Sequence, residues 1–262
     1  MKNLIYVYCI TDKPPELTSG LEDLGVKYLT IDKLFAVVKE VDEQEFSEEN
    51  FKKNLSDIPW VELNARQHVE VICQIMESNT VVPFKFGTIY HSKDGLKKFI
   101  SEYQNALIEN LKQVEGKEEW AVKVYCDCKV LSLQIDELSE EAAAFEKQIM
   151  ASSPGKAFIL KRKKDELVKS EMNRICKVYG QRYFDEFKAL SRTHVLNNLL
   201  PDEYTEREDT MILNATFLIS KDKVSDLEMK IQAFKKSDQD SGFNIENTGP
   251  WPPFSFIKIN EK

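Results

Sequence analysis

Cysteine and long apolar runs are scarce in this 262-residue sequence, which has only five cysteines. Their odd number and wide spacing do not match a disulfide framework, so we expect a reducing, cytoplasmic environment. The longest apolar run, Leu4–Ile10, has seven residues, whereas a membrane-spanning helix needs about 20. It is also too short, and too soon followed by Asp12, for a secretory signal. We therefore predict no lipid-membrane partner.

Basic residues are also fewer than acidic residues. The chain has 36 Lys and Arg against 44 Asp and Glu, a formal net charge of −8. Binding to nucleic acid requires a basic surface that neutralises phosphates, so we predict no nucleic-acid partner. The 42% of hydrophobic residues is sufficient for a sizeable core. The length favours two domains over one.

The common catalytic and metal-binding motifs are missing. There is no G-x-S-x-G elbow, no G-x-G-x-x-G loop and no H-E-x-x-H helix. Cys126-x-Cys128 lacks the second ligand pair of a zinc site, and two cysteines so spaced on a strand are expected to share a packed face. His68 lies on the apolar stripe of a predicted helix, which favours a hydrogen-bonded core histidine. We predict no catalytic residue, metal or cofactor.

One enzyme-like alternative is centred on Ser153–Lys156. This segment resembles the end of a phosphate loop, but Met150 stands in place of the first glycine and Ala157 in place of the magnesium-binding hydroxyl. A helix start with Pro154 in its first turn explains the same residues without a ligand. The alternative function is thus a phosphate-ligand or nucleotide-binding enzyme. Residues 156–188 include 10 basic and 5 acidic residues. This basic segment is expected to face either solvent or an acidic partner.

The first predicted domain, residues 1–118, is a mixed α/β domain. Leu4–Ile10 is apolar on both faces, as in a strand that is covered on both sides. Trp60–Ser78 and the segment from Ser92 to Val114 place apolar residues at helical spacing. We place the domain boundary near Gly116–Glu119.

The second predicted domain, residues 119–262, follows the order strand, helix, strand, strand, helix, strand. That order predicts a modified ferredoxin-like (split βαβ) domain in an α+β protein, with one helix inserted in the first crossover and a proline-rich C-terminal tail. The predicted elements are strand Trp120–Asp127, helix Asp136–Met150, a helix from Pro154 to about Leu190, strands Thr193–Leu200 and Thr210–Ser220, helix Val224–Phe234 and strand Phe243–Asn247.

The tail contains the most unusual composition, Thr248-Gly-Pro-Trp-Pro-Pro-Phe-Ser-Phe256. Its prolines hold the backbone near polyproline II, so Trp251 and Phe254 can enter a groove at little entropic cost. The two aromatic side chains dock either on the open face of this protein's own predicted sheet, which we favour, or into a partner. Phe254–Ile259 is predicted to form a final strand.

These residues bear a specific resemblance. Thr248–Phe256 resembles the C-terminal signature of the gas vesicle protein F and L family. Pro83-Phe-Lys-Phe-Gly-Thr88, preceded by His68-Val-Glu70, is similar to that family's N-terminal signature. Ser153–Phe158 and Leu4–Tyr8 also match, in the right order. Cys9 departs from the glycine that many members have after the opening tyrosine.

The resemblance implies a non-enzymatic, minor structural or accessory protein of gas vesicle assembly, located at the gas vesicle and in the cytoplasm. The implied partners are gas vesicle protein A, which is the small hydrophobic shell protein, other accessory gas vesicle proteins and further copies of this chain. The motif residues considered for partner binding are Pro83, Phe84, Lys85, Phe86, Gly87, Thr88, Trp251, Pro252, Pro253 and Phe254.

A physical hypothesis explains how such an accessory protein would act on the shell subunit. A shell subunit that stacks through strands is prone to aggregate before assembly, and an acidic protein that pairs an edge strand with it would keep it dispersed. Thr193–Leu200 and Phe254–Ile259 are the candidate strands. Gly87 is expected to adopt a positive φ or to allow a close backbone approach. A purely structural wall component is a third alternative.

Overall fold

The computed structural model describes residues 3–201 and 207–259 and divides the chain into two units. Unit 1 comprises the chain up to Glu119 together with the residues from Pro250 onward. Unit 2 runs from Trp120 to Gly249. The predicted second domain, 119–262, differs from unit 2 because the tail packs with unit 1, as described below.

Unit 1 combines a sheet with helices. Its strands are β1 (Asn3–Thr11), β2 (Val26–Ile31), β3 (Leu34–Asp42), β4 (Val81–Pro83) and β5 (Ile89–Tyr90). Its helices are α1 (Ser19–Asp23), α2 (Glu43–Phe46), α3 (Glu48–Asn54), α4 (Ile58–Met76), α5 (Lys93–Glu102) and α6 (Gln104–Val114).

The sheet has the order β2-β3-β1-β4, and β5 also pairs with β1. β1 is antiparallel to β3, β4 and β5 and is buried at every position from Leu4 to Thr11. A register shift between Val7 and Cys9 changes the alternation of its side chains. The prediction of a strand covered on both sides is confirmed.

Each face of the β1 sheet has its own core. Leu96, Ile100 and Leu107 of α5 and α6 pack against one face, and Val71 and Ile72 of α4 pack against the other. A fully buried side chain of this size contributes about 1.5–3 kcal/mol. The single helix predicted from Ser92 to Val114 is wrong, because the chain leaves helical geometry at Tyr103 (φ −100°, ψ 13°) and forms two helices.

Unit 2 has four strands and five helices among its described residues. The strands are β6 (Lys117–Cys126), which begins just before the unit, β7 (Ser191–Leu196), β8 (Thr210–Ser220) and β9 (Phe243–Trp251). The helices are α7 (Cys128–Leu133), α8 (Ile135–Leu138), α9 (Glu140–Met150), α10 (Pro154–Lys188) and α11 (Val224–Ser237). The sheet order is β7-β8-β6-β9, so β7 and β8 are antiparallel neighbours, whereas the connections from β6 to β7 and from β8 to β9 each pass over one strand.

The core of unit 2 is one cluster of strand and helix residues. β8 contributes alternate residues to it, among them Leu213, Ala215 and Phe217. The 35-residue helix α10 begins at Pro154, as predicted. It approaches β8 so closely at Gly180 that a Cβ there would lie 2.8 Å from the backbone oxygen of Ile212. Glycine is thus required for this helix-to-strand contact.

Two further predictions about single segments are wrong. Phe254–Ile259 contains a 3-10 turn, Phe254–Phe256, and no strand. β6 ends at Cys126, and Cys128 is already the first residue of α7, so the two cysteines do not share a strand face. Within residues 3–201 and 207–259, every helix is too short or too polar to cross a lipid bilayer.

Candidate partner-binding site

The motif Pro83–Thr88 forms an anchored loop beside β1. Pro83 ends β4, and the next residue, Phe84, donates its backbone N–H to the Tyr8 oxygen at 2.9 Å. Thr88 donates its own N–H and its hydroxyl to the Lys85 oxygen, at 3.1 and 2.7 Å, which closes a turn. Pro83 and Phe84 are buried, whereas Lys85 is exposed. The motif therefore starts in the core and presents its lysine to solvent.

Gly87 is the sharpest constraint in this loop. Its φ of +80° confirms the predicted positive φ. A Cβ at this position would lie well inside the van der Waals radius of Cζ of Phe51. The position therefore excludes side chains for two reasons, namely backbone conformation and the packing of the Phe51 ring.

His68 connects the loop to β1. Its side chain is 1% exposed. Nε2 lies 2.9 Å from the Phe84 carbonyl oxygen, which can only accept, so Nε2–H is the donor. Nδ1 of this neutral imidazole then accepts from the Tyr6 hydroxyl at 2.9 Å, and Gly87 N–H donates to the same hydroxyl oxygen at 3.3 Å. The predicted hydrogen-bonded core histidine is confirmed.

Burial sets the protonation of this group of residues. It lowers the pKa of His68, although the hydrogen bond to the Phe84 carbonyl acts in the opposite direction. Burial also raises the pKa of Tyr6, and it raises the pKa of Tyr8 to about 12. All three side chains are therefore neutral near pH 7, and the site is a packed polar centre inside an apolar core.

Aromatic rings surround His68. The Phe86 ring lies 5.9 Å from the imidazole and the Phe254 ring lies 6.3 Å from it, the latter nearly stacked at 29°. Phe86 also contacts Phe51 and Trp60, at 5.7 and 6.3 Å between centroids. The structure thus brings the N-terminal motif and the C-terminal motif to one histidine, although 160 or more residues separate the two motifs along the chain.

The C-terminal motif docks on this protein's own fold, as favoured, but Phe254 packs against a core cluster of unit 1 and not on the sheet of the second predicted domain. Pro252 and Pro253 are buried, Phe254 is half-buried, and Trp251 is 40% exposed. Phe256 N–H donates to the Pro253 oxygen at 3.1 Å, which closes the 3-10 turn, and Phe254 N–H donates to the Pro252 oxygen at 2.7 Å just before it. This turn, and not a strand, delivers the Phe254 ring to His68.

Two buried polar side chains hold the tail. The Glu119 carboxylate accepts from the N–H and the hydroxyl of Ser255, at 2.9 and 2.8 Å. The Asn110 amide accepts from Lys258 N–H and donates to Lys258 O, both at 2.9 Å, as a neighbouring strand would. Burial raises the pKa of Glu119, and the hydrogen bonds from Ser255 oppose that shift. The tail is therefore a fixed part of unit 1.

The sequence analysis missed these holding residues. Asn110 lies between Leu107 and Val114 on the inward stripe of α6, and a lone polar residue on an apolar stripe signals a buried hydrogen-bond partner. The sequence therefore contains a signal that could have identified Asn110 as a buried hydrogen-bonding residue. The role of Glu119, which directly precedes the strand residue Trp120, has no comparable signal in the sequence.

A groove opens beside the loop. It has a volume of about 360 Å³ and mainly apolar walls. Its apolar lining comes from Leu4, Phe46, Phe51, Leu55, Gly87 and Ile89, and its polar lining from Glu48, Lys52 and His91. Leu55 on its wall is 48% exposed.

Unit 2 offers a different kind of surface, the free edge of β7. In the part of the chain that the structure describes, β7 pairs only with β8 and ends the sheet. Asn197 N–H donates to the Asn214 oxygen at 2.8 Å. The alternation of antiparallel pairs then turns the backbone groups of His194 and Leu196 toward the free side. Leu196, Leu199 and Leu200 are 63%, 52% and 39% exposed.

The segment of the enzyme alternative has a simple structural role. Ser153 precedes α10, and Pro154, Gly155 and Lys156 form its exposed first turn. A phosphate loop connects a strand to a helix, whereas here the helix α9 precedes the turn. Among the residues that the structure describes, no group of three or more His, Cys, Asp or Glu side chains is arranged to hold a metal ion.

The chain is thus an α+β protein with two sheets, whose aromatic centre is organised by two motifs from opposite ends of the sequence. The family model of the gas vesicle synthesis protein GvpL/GvpF matches residues 4–258, and the chain belongs to this family.

Individual relatives support this assignment. Gas vesicle protein L of Streptomyces sp. (strain CB03234) is 22% identical, and the match covers 99% of this chain and 94% of that protein. Gas vesicle protein L1 of Halobacterium salinarum is also 22% identical, with 96% and 89% covered.

Two solved structures share the fold. The crystal structure of the gas vesicle protein GvpF from Anabaena sp. PCC7120 has a TM-score of 0.70 at 19% identity and covers 99% of this chain and 100% of that one. GvpF from Microcystis aeruginosa has a TM-score of 0.66 at 18% identity, with the same coverage. At this level of identity the likeness shows the fold alone.

Proposed function

We propose that this protein is an accessory factor of gas vesicle assembly that binds the hydrophobic shell protein, gas vesicle protein A, in the cytoplasm. In this proposal it prevents aggregation of the shell protein, helps to nucleate the vesicle and catalyses no reaction. Membership of the GvpL/GvpF family supports the assembly role. The observation that carries the binding step is the free edge of β7 beside three exposed leucines.

The physical mechanism is strand addition. A strand of the shell subunit pairs with the free backbone groups at His194 and Leu196, and the leucines cover its apolar side chains. Backbone pairing supplies affinity without demanding one particular sequence, which suits a subunit that itself stacks through strands. The net charge of −8 keeps the complex dispersed until the subunit is handed on.

We further infer that unit 2 is a modified ferredoxin-like domain. Its strands, taken in chain order, occupy the sheet positions third, first, second and fourth, with helices in the two crossovers. The first crossover holds three short helices before α10, where one inserted helix was expected. In this arrangement β7 is an outer strand, which is the property that the binding step requires.

The exposed members of the two motifs have a secondary role in this proposal. Lys85 and Trp251 are exposed members of the loop and the tail, and they contact other accessory gas vesicle proteins or a further copy of this chain. The remaining motif residues hold these two in place through the contacts around His68.

A turbidity experiment tests the binding step. Purified shell subunit is diluted from denaturant with or without this protein, and light scattering and co-elution are measured. Wild type is expected to suppress scattering, and Leu196→Lys is expected to lose most of that effect. Leu133→Lys is the matched control, because Leu133 lies on α7 in the same unit and is 85% exposed.

Three outcomes would contradict the proposal: no suppression by wild type, equal loss with both lysine variants, or full activity of Leu196→Lys. Circular dichroism of each variant separates loss of binding from loss of fold. Immunoblotting of washed, intact vesicles then distinguishes an assembly factor, which leaves the wall, from a permanent wall component.

A further inference from the structure

A second, smaller pocket of unit 1 lies on the face of the β1 sheet that α4 covers. It has a volume of about 210 Å³. Its lining includes Tyr8 of β1, Lys39 of β3, Phe46 of α2 and Gln67 of α4. Because strands and helices supply these residues, the fold itself forms the pocket.

A β-bulge places Tyr8 in this pocket. The register shift between Val7 and Cys9 leaves Tyr8 as the extra residue of β1 in its pairing with β3. Tyr8 is 3% exposed, and its ring stacks on His68 at 5.5 Å between centroids. The Tyr8 hydroxyl reaches the pocket surface, and it forms no hydrogen bond with any group in the described ranges of the chain. It is therefore a donor that lacks an acceptor.

Lys39 is a second such donor. It alternates along β3 with Val37 and Val41, which belong to the core cluster on the α4 face, so its side chain projects to the same face and is half-buried there. No acidic side chain of the described residues forms an ion pair with its ammonium group. A half-buried lysine between two core valines is an unusual choice unless its charge has a partner.

The carboxylates that line the same pocket already have donors. Glu40 forms ion pairs with two other lysines, at 2.5 and 3.1 Å. Asp42 accepts a backbone N–H at the start of α2 at 2.9 Å, and Glu45 accepts from the Trp60 indole N–H at 2.7 Å. The groups of the pocket that still need a partner are thus the ammonium of Lys39 and the hydroxyl of Tyr8.

We propose that this pocket is a carboxylate-binding site, in which the Lys39 ammonium and the Tyr8 hydroxyl donate to the oxygens of one carboxylate group. The proposed assembly function uses β7 and the exposed motif residues, and not this pair, so the two proposals are tested separately.

Size and charge define the class of ligand. The volume of about 210 Å³ is below the range of about 300–1,000 Å³ typical of pockets for drug-sized ligands. The ligand is therefore a single acidic side chain of a protein partner or a small free carboxylic acid. A singly charged carboxylate is favoured over a phosphate dianion, because Asp42 and Glu45 also line the pocket and would repel the second charge. The Phe46 ring offers an apolar surface to the aliphatic stem of the acid.

An NMR titration tests the site. The amide signals of Tyr8 and Lys39 are followed in the full-length chain at constant ionic strength, with sodium butyrate as a small free acid and N-acetyl-glutamate N-methylamide as an acidic side chain without free termini. Saturable shifts with both probes would indicate a site that accepts a partner's side chain, and shifts with butyrate alone would indicate a site for a free acid. Both results support a carboxylate site.

Substitutions assign the two donors. Lys39→Met should weaken butyrate binding about tenfold and Tyr8→Phe about threefold, because a charged and a neutral hydrogen bond are lost. Lys33→Met and Tyr28→Phe are the matched controls, since both side chains are exposed, and they should leave binding unchanged.

Thermal unfolding separates a binding role from a structural one. Tyr8→Phe removes a hydroxyl that has no partner in the described protein, so it should not lower the Tm of the free chain, but it should reduce the rise in Tm that butyrate causes. A lower Tm of free Tyr8→Phe with an unchanged response to butyrate would overturn the proposal.

Three further results would contradict the assignment. These are the absence of saturable shifts with either carboxylate probe, equal weakening by Lys39→Met and Lys33→Met, and tighter binding of phosphate or of methylguanidinium chloride than of butyrate. Tighter binding of methylguanidinium would assign the pocket to its carboxylates, Asp42 and Glu45, and not to Lys39 and Tyr8.

Discussion

In unit 1 helices cover both faces of the sheet, and β1 is buried from Leu4 to Thr11; in unit 2 the outer strand β7 is half-buried or exposed along its whole length. A central strand buried on both faces has no backbone groups left for another chain. An outer strand keeps a free row of them. Unit 1 thus holds distant segments together around its central strand, whereas in unit 2 the outer strand β7 is the element on which the proposed binding step depends.

The buried polar contacts follow the same division. In unit 1 a single histidine makes two buried hydrogen bonds and connects β1, α4 and the loop after β4. In unit 2 the Tyr183 hydroxyl donates to Asp238 at 2.7 Å, and Arg182 lies 3.5 Å from the same carboxylate. Loss of the histidine removes the donor to the Phe84 carbonyl and the acceptor of the Tyr6 hydroxyl, which keeps only the N–H of Gly87. Loss of the tyrosine hydroxyl leaves a carboxylate that still has a cation.

The largest expected effect comes from removing these polar anchors. His68→Leu should lower the free energy of unfolding by about 3 kcal/mol, because two buried groups lose their hydrogen bonds, and Tyr183→Phe should lower it by about 1 kcal/mol. Urea unfolding followed by circular dichroism measures both. Equal losses would show that the two units do not differ in this respect.

The glycine of the motif loop gives the next largest effect. Gly87→Ala should cost about 2–3 kcal/mol, from left-handed strain and from the clash with Phe51, whereas Gly116→Ala should cost only about 1 kcal/mol. Gly116 is the matched control because its φ is +67° and a Cβ there would meet no atom within 4 Å. If adding Phe51→Leu to Gly87→Ala restores part of the lost stability, the clash with the Phe51 ring accounts for the difference between the two glycines. Equal costs would reduce Gly87 to an ordinary turn glycine.

A smaller effect is expected from loosening the tail. Asn110→Ala should lower stability by about 1.5 kcal/mol, because it removes the paired hydrogen bonds to Lys258. The Lys258 amide should also exchange with solvent faster. Asn105→Ala changes an exposed asparagine of the same helix and should leave both measurements unaltered. Unchanged exchange at Lys258 in Asn110→Ala would contradict a tail held by this side chain.

The smallest effect is a dependence on pH. Because burial lowers the pKa of His68 from its ordinary 6.5, the unfolded chain binds a proton that the folded chain does not. Stability should therefore decrease as the pH falls below 6.5, and the advantage of wild type over His68→Leu should narrow. Glu119, whose pKa burial raises, has the opposite sign: its contribution is present in acid and lost as the pH rises through its folded-state value. A stability gap that stays constant between pH 7 and 5 would mean that His68 does not titrate as a buried neutral group.

Much of the local structure was predictable because its signals are local. The apolar run Leu4–Ile10 predicted a doubly covered strand, the alternation in Thr210–Ser220 predicted a strand with one core face, and Ser153-Pro154 predicted the start of α10. The predicted core role of His68 followed from its place on the stripe of α4. Each of these signals is a periodicity or a capping preference within a few turns of chain.

The candidate site was only half predictable. Both motifs were recognised, and the positive φ of Gly87 was correctly predicted. The strand predicted for Phe254–Ile259 was wrong, because alternating aromatics also suit a 3-10 turn when Pro252 and Pro253 precede them and a carboxylate takes the Ser255 N–H. The Phe51 ring occupies the space that a Cβ at residue 87 would need. Because these two residues are distant in sequence, no local pattern predicts that they pack together.

The sequence by itself determined most of the segments that become strands and helices, because apolar periodicity and capping preferences are written along the chain. Only the tertiary structure decided that the tail returns to unit 1, that two motifs meet at His68 and that β7 lies at an edge of the described sheet. Those outcomes depend on contacts between residues tens to hundreds of positions apart, whose energies arise only once the chain has closed on itself.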